Sequence, residues 1–414
     1  MIHHFFPSPK VSKRLYAGPL GDHIDRFARL LLDQGYATKT AQEKIRLLAD
    51  LSRWLERKQL NVKDLDEQRI NKYLKFRATH HAPNRYEQPT FRALLKQLRN
   101  DGLIRICAPA VNDNALDRIE NSFGRYLVQE RGLTQTTVDN YLPIVRRFLT
   151  TRFDADVIPL EKLTSEDITR FILRHAHTGS PGRAQLMVTV LRSFLRFIYQ
   201  QGQTATNLSM CVPTVANWDL SELPKFLKPE DVESLLQSCD KNSPIGQRDY
   251  AVLLLLARLG LRAGEVVHMV LEDIDWEAGK LIIRGKSVRQ DHLPLLQDVG
   301  EALATYLYNG RPHCSSRRVF IRQLAPHKGF SSSTAIGDIV RRAFARAGLE
   351  RMHKGAHLLR HSLATQMVNQ GASLNEIGEI LRHQQPHTTE IYAKVNLVAL
   401  RTLAQPWPEG ENHE

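Results

Sequence analysis

Cysteine is scarce in this chain of 414 residues: Cys107, Cys211, Cys239 and Cys314 lie far apart, with no C-x-x-C pair and no neighbouring run of metal ligands. That spacing argues against a disulfide framework and against a zinc ribbon, and it fits a reducing cytosol. Long apolar runs are lacking too. The longest, "YAVLLLLA" at 250–257, falls far short of the roughly 20 residues needed to cross a bilayer, and the N-terminal "MIHHFFPSPKVSKRLYAG" has no continuous apolar core of the kind a signal peptide carries. A soluble intracellular protein is expected. Acidic residues are outnumbered: 57 lysines and arginines against 44 aspartates and glutamates leave a formal net charge of +13, which suits a polyanionic partner, either nucleic acid or an acidic membrane face. The length excludes a small stapled scaffold and allows two or three domains.

A weak internal repeat organises the first half. "FARLLLDQGYATKTAQEKIRLLADLSRWL" from Phe27 compares with "FGRYLVQERGLTQTTVDNYLPIVRRFL" from Phe123, and "DLDEQRINKYL" (64–74) with "KLTSEDITRFI" (162–172). Within each unit the period is helical, as in Val138, Tyr141, Leu142, Val145, Phe148 and Leu149. The expected plan is an N-terminal tail over 1–19, a helical bundle over 20–110, a second over 115–210, a linker over 211–226, a third domain over 227–400 and a C-terminal tail over 401–414. In the third domain, "GKLIIRGKSVRQDHLPLL" (279–296) reads as a β-hairpin with a basic tip, set among helices. The fold class is therefore mainly α with a small antiparallel sheet.

The stretch "HLLRHSLATQMVNQG" (357–371) opens with His357, Arg360 and His361 and then turns apolar. A helix beginning this way directs cationic side chains and unpaired N–H groups toward one end, where an anion such as phosphate fits. The His357–His361 spacing also matches a zinc-binding helix, but Leu358 stands where the catalytic glutamate would be and Arg360 would repel a dication, so no metal is expected. A solvated helix end is the plainer alternative. The surroundings favour chemistry: "GLRAGEV" presents Arg262 and Glu265, the hairpin tip presents Lys286, and "ILRHQQPHTTEIYAKV" presents His383 and Tyr392.

In order and local context these segments resemble the tyrosine recombinases, the phage-integrase-like family. The resemblance covers residues 115–400. It implies a catalytic set of Arg262, Lys286, His357, Arg360, His383 and Tyr392, supported by Glu265 and working without a cofactor. By resemblance the arginines clamp the nonbridging oxygens of a DNA phosphodiester, Lys286 protonates the leaving 5′-oxygen, His357 accepts the proton of Tyr392, and His383 donates a hydrogen bond to the phosphate. The second bundle becomes a core-binding domain that grips duplex DNA, with Arg146, Arg147, Arg183, Arg192 and Arg196 as candidate contacts. The first bundle becomes an extra DNA-contacting unit, or else a protein-docking module. The resemblance further implies a tetramer on two DNA sites, with accessory proteins as further partners, and a role in a mobile element. A short apolar helix at Leu397, Leu400 and Leu403 is a candidate for docking between protomers. Two departures stand out: Arg382 occupies the place of a usual glycine, and Asp291 that of a usual basic residue in the hairpin. A catalytically silent DNA-binding protein of the same fold and a type IB topoisomerase are the alternative functions.

Overall fold

Apolar residues recurring every three or four positions build helices through most of the chain. The computed structural model describes residues 1–105, 114–153, 157–176, 180–215, 223–285, 290–349 and 355–395. They form two compact units: one joins Met1–Arg105 to the described residues of Glu222–Glu414, and the other lies within Ile106–Ser221.

The N-terminal part of the first unit contains α1 (Ile2–Phe5), α2 (Pro9–Leu15), α3 (Gly21–Asp33), α4 (Thr38–Arg57), α5 (Glu67–Ala78) and α6 (Glu87–Asn100). Its core is an apolar stripe from each helix, including Phe27, Leu48, Leu55, Phe91 and Leu94, all inaccessible to solvent. Trp54, Tyr73 and Phe91 continue it as an edge-to-face aromatic chain with centroids 5.6 Å apart at both steps. Residues 1–19, expected as a tail, instead form α1 and α2 and join this core. Ile2, Phe5 and Phe6 are buried, the Ile2 amide donates to Asp25 Oδ1 at 2.8 Å, and Gln42 Nε2 donates to the Phe5 carbonyl at 2.6 Å. The stretch is too short for its periodicity to have signalled a helix.

The second unit repeats this layout in α7 (Ala115–Gln129), α8 (Gln135–Arg152), α9 (Ser165–Ala176) and α10 (Pro181–Gln200). Even the short 3₁₀ turn before α5, Val62–Asp64, has its counterpart before α9 at Leu160–Lys162. Phe123, Phe148, Leu191 and Phe194 fill its core. The second bundle ends in a helical turn, Leu208–Cys211, with Leu208 buried, that runs into the first residue of the expected linker, of which 216–222 lie outside the described residues.

The remainder of the first unit wraps around α12 (Pro244–Arg258), which follows α11 (Pro229–Gln237). Residues Ala251–Leu256 of α12 are apolar on every side and essentially inaccessible, the pattern of a helix at the centre of a domain. After it come α13 (Ala263–His268) and an antiparallel sheet of β1 (Ile274–Asp275), β2 (Lys280–Arg284) and β3 (Gln290–Pro294) in that spatial order. Leu281 pairs with Leu293, and Leu281 and Ile283 face the core. The expected hairpin is therefore present, although its tip, 286–289, lies outside the described residues. Then follow α14 (Gln297–Thr305), α15 (Thr334–Arg346), α16 (Ala356–Asn369), α17 (Leu374–Ile380) and α18 (His387–Glu390), with a final 3₁₀ turn at Ile391–Val395. A small separate cluster of Ala364, Val368, Ile377, Leu381 and Tyr392 packs α16 and α17 against that turn. No described helix is long and apolar enough to cross a membrane.

Because Phe5 is 1 % exposed, Phe5→Ala is expected to destabilise the first unit by about 3 kcal/mol or more, as core phenylalanine truncations do. Chemical denaturation followed by fluorescence measures it. A change below about 0.5 kcal/mol, typical of surface sites, would return residues 1–19 to the status of a tail.

Candidate active site

The chain reverses at Gly260, just beyond α12, with φ +58°. A Cβ there would come within 2.7 Å of Leu381 Cδ2 and 3.1 Å of Leu363 Cδ2, so both the conformation and the space call for glycine. The tight turn lets the Gly260 carbonyl accept from Arg360 Nη1, while Arg360 Nη2 donates to the Leu381 carbonyl. Arg360 thus crosses from α16 to both neighbouring segments and is only 4 % exposed. Burial, reinforced by the charges of Arg262 and Arg382, brings its pKa down to about 10, so it stays protonated at neutral pH.

Two residues beyond the glycine, Arg262 stands at the N-cap of α13. Glu265 folds back over it from the first turn, accepting from the Arg262 amide at 2.8 Å and from Arg262 Nη1 at 2.8 Å. Arg382 Nη2 donates to the same carboxylate at 3.0 Å, and Arg262 Nη2 donates to the Arg382 carbonyl at 3.3 Å. Burial alone would raise the Glu265 pKa; the Arg382 charge and the bonds from Arg262 outweigh it and hold the carboxylate ionised. Two guanidiniums therefore hold one carboxylate, and the charge of Arg360 lies within its reach. Arg382 entered the sequence analysis only as a departure from the family's glycine, and its φ of +54° is unusual for a side chain of its kind, costing about 1–2 kcal/mol.

Tyr392 lies on the inner side of α16, 1 % exposed, with its hydroxyl 2.8 Å from His361 Nδ1. With that imidazole neutral and its proton on Nε2, the phenol donates. Here the structure differs from the expectation that His357 would meet the tyrosine. His357 sits one turn earlier, at the exposed end of the helix, its ring centroid 6.4 Å from that of His361. His361 belongs to the same box in the sequence, and residue type alone does not tell the two histidines apart. The His383 ring stacks parallel to Tyr392 at 6.4 Å, and its Nδ1 is 2.7 Å from Thr389 Oγ1. Burial pushes Tyr392 up to about 12, the Arg360 charge opposing it only in part.

The other expected residues divide. Lys286 lies outside the described residues. In the second unit, Arg147, Arg183 and Arg196 are exposed, with no ion-pair partner among the described residues. Arg146 and Arg192, expected to reach DNA, are instead held within the bundle. Arg146 pairs with Asp117 at 2.7 Å and with Glu120, and Arg192 Nη2 donates to the Val212 carbonyl at 3.0 Å and to Thr214 Oγ1 at 2.9 Å. Among the described residues no group of three His, Cys, Asp or Glu is placed to hold a metal ion.

Burial first, and then the neighbouring arginine charges, lowers the pKa of His357 and takes His383 down to about 4; for His361 burial is followed by His357 and Arg360. All three imidazoles are neutral at pH 7. A histidine with a depressed folded pKa confers stability that is complete above its unfolded value of 6.5 and is lost as the pH falls through its folded value. The thermal midpoint is therefore expected to drop between pH 6.5 and about 4, and His383→Asn to flatten that decline. An unchanged slope in the variant would contradict the assignment.

The family model described as the phage integrase family matches residues 225–397, and the phage integrase N-terminal SAM-like domain matches 121–202. A putative integrase/recombinase, y4rA of Sinorhizobium fredii, is 42 % identical over 94 % of this chain and 95 % of its own. Tyrosine recombinase XerC of Oceanobacillus iheyensis is 28 % identical over 70 % of this chain and 95 % of its own. Among solved structures, the XerH site-specific recombinase bound to a palindromic difH substrate, a post-cleavage complex, is similar with a TM-score of 0.54 at 19 % identity, over 82 % of this chain and 95 % of that one. A lambda integrase dimer bound to a COC′ core site gives 0.52 at 18 %, over 72 % and 99 %. With catalytic and SAM-like regions both matched and one relative similar almost from end to end, the chain belongs to the phage integrase family and is a site-specific DNA recombinase of the tyrosine class.

Proposed function

We propose that Tyr392 is the nucleophile of strand cleavage, that Arg262 and Arg360 clamp the scissile phosphate, and that His357, His383 and Lys286 serve proton transfer and hydrogen bonding around it. The observation that carries this reading is convergence. Residues from 260 to 392 meet in one place, linked by Arg360 to the Gly260 and Leu381 carbonyls and by Glu265 to Arg262 and Arg382. Guanidiniums suit the task because they stay charged at any working pH and bind two phosphate oxygens at once.

In the reaction the phenol oxygen forms a bond to phosphorus while its proton passes to a neutral imidazole, and the bond to the 5′-oxygen breaks as that oxygen takes a proton from Lys286. The products are a 3′-phosphotyrosyl link and a free 5′-hydroxyl, and reversal against a second 5′-hydroxyl joins a new partner strand without an external energy source. A phenol that is buried and bonded to His361 must leave this seat to attack. His361 is accordingly the partner of the retracted tyrosine and His357, nearer the surface, the base for the extended one.

Arg147, Arg183 and Arg196 of the second unit contact the DNA backbone, while Arg146 and Arg192 hold its helices and closing turn in shape. The first bundle, with the same element order, is a second DNA-contacting unit. The working form is a tetramer on two sites in the cytoplasm, at the nucleoid, moving a mobile element with the help of accessory proteins. A lambda integrase tetramer bound to a Holliday junction, similar at a TM-score of 0.52 and 17 % identity, supports the oligomeric part.

The test uses the full-length protein with nicked duplexes drawn from the DNA flanking its gene, on which cleavage traps a covalent complex. The wild type is expected to form a denaturation-resistant adduct, Tyr392→Phe none, and His357→Ala at least about 100-fold less, the usual contribution of a general base. Because the arginines supply the positive charge that a two-metal nuclease draws from Mg²⁺, adduct formation in EDTA is expected to match that in buffer. An adduct formed by Tyr392→Phe would remove the nucleophile, and loss of activity in EDTA would remove the arginine-only account of charge.

A further inference from the structure

Arg382 is the residue the cleavage reading leaves unexplained. Its backbone is left-handed, with φ +54°, at a position where a glycine would be free of strain and where the family resemblance leads one to expect glycine. A surface arginine would gain nothing from that conformation. This one is turned inward: its side chain is 6 % exposed, Nη2 donates to Glu265 Oε2 at 3.0 Å, and Nη1 donates to the Ile380 carbonyl at 3.1 Å. Its Nε is buried with no partner among the described residues.

The placement has two further consequences. The Glu265 oxygen that accepts from Arg382 also accepts from the Arg262 amide, while the other oxygen holds the Arg262 guanidinium, so one carboxylate joins both arginines. Asp291 of β3, the second departure from the family pattern, lies near enough for its charge to act on Arg382. The hairpin has an acid where a base is usual, and a base stands at the residue before His383.

We propose that Arg382 is a positioning residue of the strand-cleavage site: its guanidinium fixes the Glu265 carboxylate, and through that carboxylate sets the orientation of Arg262 toward the scissile phosphate. The inference rests on the assignment of this cluster as the cleavage site. With Arg382 in place, Glu265 cannot rotate away from Arg262 without abandoning a buried charge, and the guanidinium left facing outward is held in one orientation before DNA arrives. Replacement by glycine keeps the backbone conformation and removes its strain, so this substitution separates a role in positioning from a role in folding.

The experiment uses full-length protein and a nicked duplex carrying the cleavage position mapped by the adduct assay above, with wild-type adduct formation as the precondition; its absence would count against the cleavage assignment rather than against Arg382. Arg382→Gly is expected to keep or raise the thermal midpoint, to slow first-order adduct formation at saturating enzyme by about ten-fold or more, and to leave the half-saturating concentration within about two-fold, the signature of an interaction used in the transition state. Arg382→Lys, which lacks the planar fork, is expected to recover little of the rate. In a Glu265→Gln background, Arg382→Gly should add little further loss, because two residues acting through one contact are not additive. A wild-type rate in Arg382→Gly, or losses that multiply across the two positions, would overturn the proposal. So would a lower thermal midpoint accompanied by an unchanged rate in Arg382→Lys.

Discussion

Burying positive charge without an equal amount of negative charge is the constraint around which the first unit is arranged. Arg262 and Arg382 share one carboxylate, Glu265, while Arg360, within reach of that charge, has its donors met by main-chain carbonyls instead of acids. Carbonyl oxygens satisfy a guanidinium's donors while leaving its formal charge uncompensated, so the site retains an attraction for an anion that a second carboxylate would have cancelled. Local features that look unrelated serve this arrangement. Gly260 allows its carbonyl to approach Arg360, the bond from the Arg262 amide aims Glu265 at Arg262, and the reversal after α17 delivers Arg382 and His383 together.

The same charge excess explains the state of the histidines. Next to several fixed guanidiniums an imidazolium is unfavourable, so His357, His361 and His383 remain neutral and able to accept a proton or a hydrogen bond. Phosphate binding would change this balance by supplying the missing negative charge. Ligand and proton inventory are thereby coupled, and the site without DNA is not electrostatically the same object as the site with it.

Much of the fold was legible because helix periodicity and glycine placement are local signals. The stripe of Val138, Val145, Phe148 and Leu149, the uniformly apolar α12 and the paired strands around Leu281 and Leu293 all report their environment through spacing. In the candidate site the legible part consisted of residues whose type alone suggests chemistry. What escaped depended on tertiary neighbours. Arg146 on its helix looks like a free cation, because Glu120 and Asp117 belong to a different helix. That His361 and not His357 meets Tyr392 follows from which side of α16 is buried, which two histidines four residues apart do not reveal. Residues 1–19 carry too few apolar positions to establish a period, yet Ile2 and Phe5 find a groove. Arg382 offers no signal of its left-handed backbone.

The burial of Tyr392 bears on how such a protein behaves during its search of a genome. A recombinase spends nearly all its time on DNA that it must not cut, sliding over phosphodiesters chemically identical to the right one. On the roles proposed above, with the phenol packed among Leu381, Val368 and Ile377, tethered to His361 and pushed up to about 12, each chance encounter would offer the backbone a clamp without a blade. On that assignment fidelity would come partly from storage: a wrong sequence need only fail to release the tyrosine.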